Sequence, residues 1–84
     1  MYPFAAEDIR TEDTATPGVL AIYGDPLDGA APALIGIAWN RRPLTPWEIA
    51  VVHTAGIDTD AVNEITDIPL AAARICMRHA RSAA

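Results

Sequence analysis

What the chain lacks narrows it first. There is no lysine among its 84 residues; the six basic side chains are all arginine. A single cysteine, Cys76, excludes an internal disulfide and a multi-cysteine zinc site, and fits a reducing compartment. Aromatics are scarce: Tyr2, Phe4, Tyr23, Trp39 and Trp47 are all there are, so the core must come from aliphatic residues and alanine. No stretch is long and apolar enough to span a bilayer. Nor does a basic N-terminal region precede an apolar run, because Phe4-Ala5-Ala6 leads straight into Glu7-Asp8. No secretory leader is therefore expected, and the expected location is the cytoplasm.

What is present is a short, apolar and acidic chain. A length of 84 residues makes one domain, with 51% hydrophobic residues to build its core. The net charge is −5, and all of it sits in the first 38 residues, where Arg10 faces Glu7, Asp8, Glu12, Asp13, Asp25 and Asp28. Beyond that point the charges cancel. An acidic body is not drawn to nucleic acid as a whole, so any such contact falls to local arginines.

Residues 1–17 read as an acidic lead-in, mobile or loosely docked, closed by Pro17-Gly18. Val19 to Tyr23 and Ala33 to Trp39 are apolar runs rich in strand formers, separated by a segment dense in Gly, Asp and Pro. They predict a β-hairpin over 18–39, with Ile35, Ile37 and Trp39 on the buried side. Thr45, Pro46 and Glu48 have the spacing of a capping box, with Leu44 and Ile49 as its hydrophobic staple. This predicts a helix from Pro46 to Ala55, ended by Gly56. Asp58 or Thr59 can cap a second, short helix through Thr66. After the corner Asp67-Ile68-Pro69, a third runs to about Arg81, with Leu70, Ala73, Cys76, Met77 and Ala80 on its core face. The expected fold is thus α+β: a β-hairpin followed by a three-helix unit over 45–81.

The stretch AVNEITDIPLAAARICMRHAR, Ala61 to Arg81, resembles the helix-turn-helix of region four of bacterial sigma factors. Val62, Glu64, Ile65, Ile68, Pro69, Ala73, Arg74, Met77, Ala80 and Arg81 fall at matching places. The corner Ile68 to Arg74 is also similar to one in the small proteins of actinobacterial conservon operons. The resemblance implies a regulatory module contacting DNA or the transcription machinery through its last helix. Arg74, Arg78 and Arg81 lie within about 60° on the helical wheel and would position the helix on phosphates. Ala71 and Ile75, with Cys76, would instead meet a protein partner, and Arg41 and Arg42 offer a secondary contact.

Ile75 stands where the resembling family has polar base-reading residues, and an isoleucine there suits a protein surface. The alternative expectation is accordingly a small acidic interaction protein, whether homodimer, adaptor or phage-type inhibitor of a host protein, that binds no nucleic acid. Cys76, His79 and His53 are three donors where a structural metal wants about four, so no metal is expected. Without an orienting group or oxyanion-binding loop, a Cys-His nucleophile is not expected either. Asp25 and Asp28 read as turn formers. No enzymatic activity, cofactor or small-molecule substrate is predicted.

Overall fold

The structure, a computed structural model, describes residues 4–26, 29, 31–40, 46–53 and 55–82, with side chains to residue 79. Five strands form one antiparallel sheet in the order in which they occur: β1 (Ile9–Asp13), β2 (Val19–Gly24), β3 (Ala33–Trp39), β4 (Trp47–His53) and β5 (Gly56–Val62). A short 3₁₀ turn precedes β1, and a second, Ile65–Asp67, leads into the helix α1 (Ile68–Ser82). α1 packs on one side of the sheet, against β4, β1 and β5. Among the described residues, no element packs on the other side of the sheet.

The expected hairpin is present as β2 and β3, but in the middle of a larger sheet. Ile9–Asp13, inside the acidic lead-in, pairs with β2, and Phe4 and Ile9 are buried. The three-helix unit is overturned: residues 47–62 are two strands, and α1 is the one α-helix among the described residues. The physical reason lies in residues 47–53. Trp47, Ile49, Val51 and His53 alternate with Glu48, Ala50 and Val52, and three of the seven are β-branched. As β4, the alternation buries Ile49 and Val51 completely on the helix side. A helix would scatter the same residues around its circumference. Burial of two full side chains outweighs a capping box, which contributes about 1 kcal/mol. Thr45, the expected cap, lies outside the described residues. Gly56 serves a hairpin and not a helix end: His53 pairs with Gly56, so the chain reverses within two residues, and Gly56 takes a φ of 140°.

The expected face of β3 also needs correction. The pairing of β2 with β3 slips between Ile22 and Tyr23, leaving Ile35 as an extra residue. Such a bulge puts two consecutive residues on the same side and reverses the alternation beyond it. Ile35 and Ala38 therefore face α1, while Ile37 points away and is 44% exposed.

The core is aliphatic, as the scarcity of aromatics requires. Leu20, Ile22, Ile35, Ala38, Ile49 and Val51 from the sheet meet Ile68, Ala71, Ala72, Ile75 and Cys76 from α1. These helix positions follow the i, i+3, i+4, i+7, i+8 stripe of an amphipathic helix. The stripe is rotated from the expected one: Leu70 and Met77 are 46% and 40% exposed. Alanines at 71 and 72 let the helix backbone approach the sheet.

Gly36 holds β3 close to β4. A Cβ there would stand 2.1 Å from the carbonyl oxygen of Ala50, a backbone atom with little room to retreat. Gly36→Ala is expected to destabilise the protein by about 1–3 kcal/mol, as overpacked cores do. A urea melt checks this; an unchanged midpoint would contradict the close approach.

Candidate functional site

The structure disperses the residues expected to contact DNA or a protein partner. Ala71 and Ile75, at 4% and 1% exposure, belong to the core and meet no partner. Arg74 and Arg78 are exposed on α1. Arg78 donates to Asp58 of β5 at 2.5 Å and is occupied within the fold. Arg81 lies on α1 with its side chain outside the described residues, as are Arg41 and Arg42 altogether. A strand and a single 3₁₀ turn precede α1, so among the described residues no supporting helix completes a helix-turn-helix.

Two features take the place of the expected surface. The first is the side of the sheet opposite α1. The strand register aligns Ala21, Ile37, Ala50 and Thr59 in one row across it, and Val19, Trp39, Glu48 and Ala61 in the next. Tyr23 and Leu34 pair in a third, and Val52 pairs with Ile57. Leu34, Ile37, Val52 and Ile57 are 60%, 44%, 52% and 68% exposed. Between them runs a groove of about 300 Å³, lined by these four with Ile35, Gly36 and Ala50. Charge stays at the margin. Arg10 is 3.8 Å from Glu12 and 3.9 Å from Asp25, and the Trp39 indole N–H donates to Glu48 at 2.5 Å. Single exposed aliphatics are ordinary on a protein surface, whereas four around one groove form a contiguous patch.

The second feature lies on the helix side of the sheet, at its β4–β5 end. His53 closes β4, Asp58 is the third residue of β5, and His79 stands in the last turns of α1. The two imidazole rings stack with centroids 3.5 Å apart and planes within 6°. His79 Nε2 is 3.0 Å from Asp58 Oδ2. A carboxylate only accepts, so Nε2 carries the proton and donates it. The other carboxylate oxygen accepts the Thr59 backbone N–H at 3.0 Å, and His53 Nδ1 accepts that of Ala55 at 3.1 Å. The hydrogen bond from His79 is the largest influence on Asp58. With Thr59 N–H and the Arg78 guanidinium, it outweighs partial desolvation and holds the carboxyl below its ordinary range. Position near the C-terminal end of α1 further suits the Arg78 guanidinium.

Of the three metal donors considered in the sequence, His53 and His79 meet, and Cys76 does not join them. It faces the core at 2% exposure, and burial pushes its thiol up from the ordinary range. Asp58 takes the third place, a residue that sequence reasoning used only as a helix cap. No local signal marks it. Asp58 joins the histidines because β5 follows β4 by a tight hairpin, a fact of register alone.

No family model, no curated protein and no solved structure matches this chain. Among the described residues no helix is long and apolar enough to cross a membrane.

A carboxyl held low in the folded state stabilises that state above its unfolded pKa. The contribution fades as pH falls through the folded value. Asp58→Asn should therefore lower the thermal midpoint modestly at pH 7 in metal-free buffer. The difference from the parent should close as pH is taken below the carboxylate range. A gap that persists unchanged into acid would show that the ion pair does not set it.

Proposed function

We propose that this protein is a small interaction module that self-associates through the uncovered face of its sheet. The observation that carries the reading is the patch of Leu34, Ile37, Val52 and Ile57, over a third exposed at each position and free of charge at its centre. A sheet with one covered side ordinarily alternates apolar-in and polar-out. Here the outward residues around the groove, Leu34, Ile37, Ala50, Val52 and Ile57, are apolar too.

A second copy fits this face for three reasons. The patch offers both ridges, Leu34 and Ile37, and a groove floored by Gly36 and Ala50, so that a two-fold axis would seat the ridges of one copy in the groove of the other. Five strands about 4.8 Å apart and roughly 20 Å long give a footprint on the order of 500 Å² per copy. Two such faces reach the ~1,000 Å² expected of a specific interface. The free edges, by contrast, are guarded: β1 carries Arg10, Glu12 and Asp13, and β5 carries Asp58 and Asp60. Charged edges discourage strand addition, which favours face-to-face packing. The lone, buried Cys76 is consistent with a reducing, cytoplasmic setting. The reading assigns the protein no reaction.

Two copies bring together bodies of net charge −5 each. Salt screens that repulsion, so a homodimer tightens with added salt, whereas docking of a basic partner would weaken. Light scattering across a concentration series should give a dimer, more populated at 0.5 M than at about 0.05 M salt. Ile37→Asp should give a folded monomer by circular dichroism. A parent chain that stays monomeric at every concentration would overturn self-association and leave the face to a different protein.

A further inference from the structure

We propose that His53, Asp58 and His79 form a binding site for a divalent transition ion of the zinc class, tying β4, β5 and the last turns of α1 together. The chain has two histidines, 26 positions apart in sequence, and the fold brings both to one carboxylate. One donor atom from each of the three residues lies within 4.8 Å of the others, and all three side chains are half-buried, open enough to admit an ion. Two imidazoles and one carboxylate are the donor set of zinc and its neighbours; calcium and magnesium prefer oxygen alone. Three protein ligands leave a fourth position for water.

The geometry also says what binding must change. Donors 2.0–2.1 Å from a tetrahedral ion lie about 3.3 Å apart, so the set must contract by roughly 1.5 Å at most, within reach of side-chain rotation. A ring nitrogen ligates in its own plane, and two rings within 6° of parallel cannot both point at one ion between them. One ring therefore turns about its Cβ–Cγ bond and the stack opens. In the ion-free form the proton between His79 Nε2 and Asp58 Oδ2 occupies the place the ion would take. Binding forms the metal–nitrogen and metal–oxygen bonds, and the ring's proton moves to Nδ1, so that the neutral imidazole ligates through Nε2. Arg78 shares the same carboxylate oxygen and competes with the ion for it.

The test is calorimetric titration of the full, metal-stripped chain with zinc chloride, at two pH values. One ion per chain is expected, bound more weakly at the lower pH, where protons compete for the imidazoles. His53→Ala and His79→Gln should each weaken binding at least ~10-fold, while Arg78→Gln should tighten it. Circular dichroism of each metal-free variant establishes that it is folded, and a folded His79→Gln that binds as tightly as the parent overturns the site. So does the absence of both heat and a rise in thermal midpoint with zinc. Binding retained in the double histidine variant would place the ion on other carboxylates and overturn it equally. The site lies on the opposite side of the sheet from the association face, so monomeric Ile37→Asp should bind zinc as the parent does. That separates failure of one proposal from failure of the other.

Discussion

A single helix lying on one side of a five-stranded sheet is the constraint on which the remaining features rest. Ile68 and Ile75, seven residues apart on α1, are completely or almost completely buried with Ile22, Ile49 and Val51 of the sheet. Each such side chain contributes roughly 1.5–3 kcal/mol when removed from water. This group of aliphatics orients α1, and the orientation then decides which of its residues are available. Ala71 and Cys76 turn inward, Arg74 and Met77 outward, and His79 is delivered to the β4–β5 end.

The same arrangement leaves the two sides of the sheet chemically unlike. The helix side ends in a polar cluster where Asp58 collects Thr59 N–H, Arg78 and His79. The other side is aliphatic around Leu34, Ile37, Val52 and Ile57, with the Trp39–Glu48 pair in the next row. Alternation along β5 divides the two roles within one strand: Ile57 looks to the open face and Asp58 to the cluster.

Legibility in the sequence followed the range of the forces concerned. β2 and β3 were readable because their apolar runs are bounded by Gly, Pro and Asp, and α1 because its alanines and Ile68-Pro69 start are local. β4 was not readable. Pro46 and Glu48 are local helix signals, while the burial of Ile49 and Val51 depends on β3 lying alongside. The rotation of α1 is not legible either: Leu70 and Met77 are as apolar as the residues inside, yet the β-branched pair Ile68 and Ile75 takes the buried face. A bulge at Ile35 displaced Ile37, and bulges leave no mark in a run of aliphatic residues. The histidine–aspartate cluster was half visible, since both histidines drew notice, but Asp58 enters through register and no spacing rule reaches it.

Every strand in this sheet pairs with its immediate neighbours in the chain, so the pairing can proceed one hairpin at a time with little entropy lost to loop closure. The helix comes after all five strands in order of synthesis. Translation proceeds at about 5–20 residues per second, so a nascent meander leaves the ribosome with aliphatic residues bare on both sides before α1 emerges. During that interval the molecule is at its stickiest, and the charged strands at its two margins are what stand between a growing chain and its neighbours on the same message.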